Sequence, residues 1–562
     1  MPPTIASTAF DSSSHAKPHG KLDAQGRKVI FASSLGTMFE WYDFYLYGSL
    51  AAILAQHFFS AVNPTAGFIF ALFAFAAGFA VRPFGALLFG RIGDRVGRKY
   101  TFLVTILLMG LSTFLVGVLP NYEAIGIAAP IMLIVLRLLQ GLALGGEYGG
   151  AATYVAEHAP QHRRGFYTSW IQTTASVGLL LSLVVIMSIR NALGEEAFVA
   201  WGWRIPFLIS VVLLGISVWI RMNLKESPAF QHIKEQGGLS SAPITESFGR
   251  WKNLRIALVA LFGLAAGQGV VWYTGQFYAL FFITQTLAIE ANQAQTMMAI
   301  ALLLATPLFV VFGWLSDHIG RKPIILTGCL LAALTYYPAF KGLAYFANPA
   351  LVQAQQQSPV VVVADPAACS FQFNPVGTHS FTSSCDIVKS FMASYAVSYS
   401  NETGAAGQVA QVRIGTQTID SFEGATLSRA EFARQSRELK AQLTQAIRDH
   451  GYPERADPQQ LNSVMVVLLL TYLVGLVTMV YGPIAAMLVE MFPIRIRYTS
   501  MSLPYHIGNG WFGGFLPPLS FAMIAASGNI YDGLWYPIII CLATVAIGLP
   551  FVRETRHNDI NA

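Results

Sequence analysis

Long apolar runs bounded by charges or by Pro/Gly breaks fall near 29–54, 66–89, 101–119, 127–152, 167–190 and 203–221. A second set falls near 255–283, 296–314, 323–343, 463–490, 499–526 and 534–552. A bilayer crossing needs ~20 mostly apolar residues, so every run predicts a membrane helix. The first run carries no cleavage signal and continues the pattern, which predicts a retained helix. The expected division is a tail at 1–28, a six-helix half at 29–221 and a polar central loop at 222–254. Helices seven to nine follow at 255–343, then an inserted polar segment at 344–460, helices ten to twelve at 461–552 and a tail at 553–562. The insertion contains a strand-like Pro359–Val363 and a helix-like run from Leu427 to His450, stopped by Gly451-Tyr452-Pro453.

Composition then removes the main alternative. Hydrophobic residues make up 54% of the chain and charged residues 11%, whereas soluble chains carry about 25% charged residues. So few charges cannot cover several soluble cores, which excludes a soluble enzyme. The charges also orient the chain. Of 35 Lys and Arg, 22 lie in the tails and in loops on one side, and three (Arg190, Arg204, Lys341) in short loops on the other. The positive-inside bias places both termini in the cytoplasm and the insertion outside. The net charge of +6 reflects those loops and points to no nucleic-acid partner; the expected surroundings are membrane lipid.

The chain repeats itself. Gly90-Arg-Ile-Gly-Asp-Arg-Val-Gly-Arg-Lys99 returns as Gly313-Trp-Leu-Ser-Asp-His-Ile-Gly-Arg-Lys322, and Gly149, Glu157 and Pro160 return as Gly482, Glu490 and Pro493. The offsets, 223 and 333, differ by about the length of the insertion, so the two halves are parallel repeats. In the first motif Gly90, Asp94, Arg95, Gly97 and Arg98 suit a gate, with glycines for a tight turn and charges for ion pairs between helices. Asp317 and Arg321 repeat it.

Ionisable residues inside membrane helices are costly and usually mark pathways. Glu40 and Asp43 share one face of the first helix with Tyr47, as candidates for proton coupling; a permanent salt bridge to Arg82 or Arg137 is the alternative. Glu147 is a further proton candidate. Arg137 and Gln140 share a stripe on the fourth helix, where Arg137 either pairs with a first-helix carboxylate or receives a substrate carboxylate through its planar fork. Arg82, beside Pro83, reads equally as a substrate contact or an interfacial anchor. Gln172, Gln268, Tyr273 and Asn509 are polar candidates for the pocket wall, and His506 reads as a packed neutral histidine. Cys369 and Cys385 lie in the insertion, where a disulfide is chemically permitted and two free thiols are the alternative. No metal or cofactor motif is present, and the absence of G-x-x-x-x-G-K-[ST] leaves direct nucleotide drive without support.

The Gly90–Lys99 decapeptide and its echo resemble the signature of the major facilitator superfamily. Glu40-Trp-Tyr-Asp-Phe44, Arg82-Pro-Phe-Gly85 and Arg137-Leu-Leu-Gln-Gly-Leu-Ala-Leu-Gly-Gly-Glu147 are similar to its metabolite:proton symporter family, which includes carriers of α-ketoglutarate, citrate, shikimate, and proline or betaine. The resemblance implies an all-α membrane protein of twelve helices in two six-helix repeats; the small α+β extracytoplasmic insertion between helices nine and ten departs from the usual short loop there. It implies a non-enzymatic, proton-coupled importer of a small organic metabolite in a bacterial inner membrane, working by alternating access. Two intramembrane arginines favour a carboxylate. A zwitterionic osmolyte, or a transporter-like sensor using the insertion to meet an envelope partner, are the alternatives.

Overall fold

The computed structural model describes residues 24–61, 64–95, 98–222, 235, 240–370, 382–394, 397–558 and 560. Gly97 lies outside the described residues, as do the side chains of Glu40, Asp94, Arg95 and Arg98.

Helices follow the apolar runs and break at Gly, Pro or charge. In the first half they are α1 (Ala24–Ser49), α2 (Pro64–Ala80), α3 (Arg82–Arg95), α4 (Arg98–Val118), α5 (Ala128–Gly145), α6 (Tyr148–His158), α7 (Arg164–Leu193) and α8 (Arg204–Met222). α2 with α3 and α5 with α6 each make one crossing. The seventh crossing contains α9 (Trp251–Ala260) and α10 (Ala266–Tyr273), interrupted by π-helical turns at Leu261–Ala265, Thr274–Tyr278 and Phe282–Thr286. The eighth and ninth are α11 (Ala291–Ala305) with α12 (Pro307–Ile319), and α13 (Arg321–Ala347).

The insertion then folds as a four-stranded sheet with helices α14 (Ser384–Ser394) and α15 (Arg429–Asp449). The last crossings are α16 (Ser463–Tyr481) with α17 (Ile484–Met491), α18 (Arg497–Ile507) with α19 (Leu516–Ser527), and α20 (Trp535–Phe551). A π-helical stretch at Gly508–Gly513 separates α18 from α19. The architecture is a bundle of long apolar helices in two halves, with a small α+β unit inserted in the second.

Among the described residues, eight of these crossings are at least 18 residues long and apolar enough to span a membrane on length and composition, nine if the bent pair Glu195–Gly202 and Arg204–Ile220 counts as one. Of the others, the third is apolar but shorter, at Leu103–Val118. The eleventh carries Ser, Tyr, His and Asn and is divided by Gly and Pro, and its polar residues are mostly buried. Within the halves α1 packs on α7, α4 on α8, and α13 on α16 and α20; across them α7 packs on α11 and α12, and α3 on α18. The glycines of α5 permit one of the closest approaches: a Cβ on Gly141 would lie 1.7 Å from the Gly78 carbonyl oxygen, and one on Gly145 2.2 Å from that of Arg82.

The expected strand and helix of the insertion appear as β1 (Val360–Ala364) and α15, whose Ser428 caps its N-terminus by accepting from the Glu431 N–H at 3.3 Å. Three further strands, β2 (Tyr399–Thr403), β3 (Gln411–Ile414) and β4 (Gln417–Asp420), complete a sheet of order β2-β1-β3-β4. β1 runs parallel to β2 and antiparallel to β3. Cys369 and Cys385 are joined by a disulfide that ties α14 to the end of β1. The unit is seated on the bundle: α14 packs on α2 of one half and α19 of the other. Gly528, at φ +86°, ends α19 against the Tyr399 ring, where a Cβ would come within 2.6 Å.

Candidate functional site

The centre of the bundle holds an unusual density of buried polar side chains. Arg82 is 2% exposed. Its guanidinium carbon lies 4.7 Å from the Phe44 ring centre and 4.2 Å from that of Phe79, while Arg137 lies 5.5 Å from Phe44 and 4.2 Å from Tyr47. Phe44 of α1 therefore stands between two guanidinium groups, a cation–π arrangement that offsets part of their desolvation. Tyr45, Tyr273, Tyr481 and Tyr505 lie near enough to Arg82 to act on it electrostatically. Its Nε and Nη2 have no hydrogen-bond partner. Those two N–H groups form the edge that takes a carboxylate in bidentate fashion.

Asp43 is buried on α1 with one carboxyl oxygen lacking a partner, and it makes no ion pair with Arg82 or Arg137. It lies beside the Thr113 hydroxyl instead. Thr113 accepts a hydrogen bond from Gln140 Nε2 at 2.6 Å, and Gln140 Oε1 accepts one from Arg137. A polar chain through α4 thus stands where the alternative reading put a direct salt bridge from Asp43. Tyr47 donates to the Ala71 carbonyl at 3.0 Å beneath Arg137. Glu147 is buried at the junction of α5 and α6.

The second half closes this centre. Tyr148 and Tyr505 stack face to face at 3.6 Å across the two halves. Gln172 donates to the Tyr148 hydroxyl at 2.7 Å, and the Tyr505 and Tyr481 hydroxyls share a bond of 2.8 Å. Gln268 and Asn509 exchange two amide hydrogen bonds of 3.0 and 2.9 Å, so each gives one N–H and its carbonyl to the other, joining α10 to the π-helical turn of the eleventh crossing. Gln276 donates to Ser176 across the halves at 3.1 Å. Trp41, Tyr45 and Trp272 form a ring cluster with centroids 5.5 to 5.9 Å apart, and Tyr273 packs edge-on to Trp272.

One end of the bundle is sealed by ion pairs. Arg164 meets Glu490 at 2.7 Å, and Arg497 meets Glu157 at 3.5 Å. Both pairs join one half to the other. Arg321 contacts Asp317 at 2.9 Å and Glu490 at 3.1 Å. Asp317 also accepts the Gly165 and Phe166 N–H groups, each at 2.8 Å, an anion placed on the N-terminus of α7. The chain after α20 joins this cluster: Glu554 accepts the Arg321 and Lys322 N–H groups at 3.0 Å each, and Thr555 donates to Glu490 at 2.7 Å. Gly90 faces Tyr498 and Thr499 at the start of α18. α7 has 30 residues, roughly 45 Å of helix, so Arg190 lies at the far end, where it pairs with Glu195 at 3.2 Å and donates to Gln295 at 3.3 Å.

The structure brings Asp43, Arg82, Arg137, Gln140 and Tyr47 together, and separately Asp317 and Arg321. The residue-by-residue reading missed Arg164, Arg497, Glu554 and the Tyr148–Tyr505 stack. A signal for the first two was present: Glu157 and Arg164 recur as Glu490 and Arg497 at the same seven-residue spacing.

A family profile described as Major Facilitator Superfamily matches residues 33–371. A glycine betaine/proline/ectoine/pipecolic acid transporter of Dickeya dadantii is 37% identical over 330 residues, 57% of this chain and 65% of that protein. The shikimate transporter of Escherichia coli is 36% identical over 323 residues, 57% of this chain and 73% of its own. The E. coli α-ketoglutarate permease matches with the same identity and coverage. The match thus spans less than two-thirds of the betaine-type relative's length. Among solved structures, a D-xylose–proton symporter is similar at TM-score 0.58 and 16% identity, over 94% of this chain and 98% of that one. The E. coli xylose transporter in a partially occluded inward-open conformation is similar at TM-score 0.58, over 96% and 100%. The chain belongs to the Major Facilitator Superfamily.

Proposed function

We propose that the protein is a proton-coupled secondary transporter that imports a small organic carboxylate by alternating access. The observation that carries the substrate class is the open Nε/Nη2 edge of Arg82, buried without a carboxylate partner. A guanidinium stays charged in proteins, and an uncompensated buried charge costs several kcal/mol, so an arriving carboxylate has a large differential interaction here. The named cargoes of the shikimate and α-ketoglutarate relatives fit that chemistry. Asp43, with Glu40 on the same helix and Glu147 nearby in sequence to Tyr148, supplies the protonatable groups. The Glu490 cluster is the cytoplasmic gate in this reading, since it lies among the basic loops, and both termini face the cytoplasm of a bacterial cell. The insertion then lies outside. Uptake of radiolabelled organic acids into proteoliposomes, with and without an imposed inward proton gradient, tests the proposal; accumulation indifferent to the gradient overturns the coupling.

A second reading has its own support. The Trp41–Tyr45–Trp272 cluster near Arg82 offers ring faces to an alkylammonium group, and the betaine and proline relatives carry such zwitterions. Competition of glycine betaine against the best-bound acid separates the two.

A further inference from the structure

Histidine 506 sits on α18, 1% exposed, with neither ring nitrogen hydrogen-bonded. A neutral imidazole always presents one N–H donor and one acceptor. Leaving both unmet in a buried site is costly, so the ring is poised to bond a polar partner. Its neighbours locate that partner. The Tyr505 ring packs edge-on at 5.2 Å and Tyr148 edge-on at 6.5 Å. Arg82 is near enough to act on the ring electrostatically. Arg82 belongs to the first half and His506 to the second, so each half contributes one buried, under-bonded group to this neighbourhood. The Tyr148–Tyr505 stack, with Gln172 and Tyr481 bonded to its hydroxyls, fixes the ring's surroundings, and the neighbouring Gln268–Asn509 amides satisfy each other and do not compete for it.

We propose that His506 is a specificity-determining contact: it hydrogen-bonds a second oxygen function, a hydroxyl or a second carboxylate, on the acid whose first carboxylate Arg82 holds. This rests on the carboxylate reading above. One ligand then spans both halves, and its binding draws them together. A plain monocarboxylate reaches Arg82 and leaves His506 unmet, so it is bound more weakly.

The experiment is calorimetric binding by the purified full-length carrier, with three five-carbon probes: pentanoate, 2-hydroxypentanoate and glutarate. Wild type is expected to bind at least one of the two oxygen-bearing probes about tenfold or more tighter than pentanoate. His506→Leu should erase that preference and leave pentanoate affinity unchanged, His506→Gln should restore part of it, and Arg82→Gln should weaken all three. A purely structural role for His506 would move the three affinities together. A folded His506→Leu carrier with wild-type preference overturns the inference while the Arg82 reading stands. Failure of wild type to bind any of the three acids overturns both.

Discussion

Arg164 of the first half and Glu490 of the second meet at 2.7 Å, and the same contact recurs in mirror order between Arg497 of the second half and Glu157 of the first at 3.5 Å. The repeat therefore carries an ion pair in duplicate: each half contributes an acid and, seven residues on, a base that pairs across the interface. Glu490 is the more connected acid, with Arg321 and Thr555 also bonded to it. Buried pairs of this kind are poor sources of net stability but costly to break singly, by about 3–5 kcal/mol, which suits a closure that must also open.

Glu490→Gln should destabilise the sealed end. Arg164 and Arg321 would lose a charge partner together, and the carrier should rest open on that side. Cysteine-labelling accessibility near Gly146 and Tyr498 should rise, and net transport should fall at least tenfold. Unchanged accessibility would show that the cluster does not hold the gate.

Asp43→Asn should separate coupling from translocation. The neutral amide fits beside Thr113 but cannot carry a proton, so uphill accumulation should vanish while exchange of internal for external substrate persists. Wild-type accumulation in both Asp43→Asn and Glu40→Gln would remove these residues from the coupling.

Cys385→Ser should loosen the insertion without stopping transport. The bridge closes a loop of sequence separation 16, for which loss of a disulfide costs roughly 3 kcal/mol. The expected result is a lower unfolding temperature and faster proteolysis within 370–424, with uptake within about twofold of wild type. Abolished uptake in a folded, inserted variant would instead make the insertion part of the transport path through its seat on α2 and α19.

Much of this was legible in the chain. Run length and the two offsets suffice for the crossings and the inserted unit, because membrane helices are dictated by backbone satisfaction and apolar length alone. Arg137 and Gln140 could be paired from their three-residue spacing, which places them on one face. Depth and partners across helices were another matter. Arg82, beside Pro83, read equally as a substrate contact or an interfacial anchor; its burial follows from packing across helices, with α2 and α3 nearly continuous around it. Gln268 and Asn509 looked like free pocket walls; helical periodicity fixes a face, not the helix opposite, and here the opposite residue was the other amide. The Trp41–Tyr45–Trp272 cluster depends equally on how crossings one and seven meet.

The most direct test of the whole account is uptake of the best-bound organic acid into proteoliposomes by wild type and Arg82→Gln, under an inward proton gradient. The account predicts gradient-dependent accumulation by wild type that a protonophore collapses, and at least tenfold less uptake by a folded Arg82→Gln carrier. Equal uptake by the two proteins, or wild-type accumulation that survives the protonophore, would contradict it.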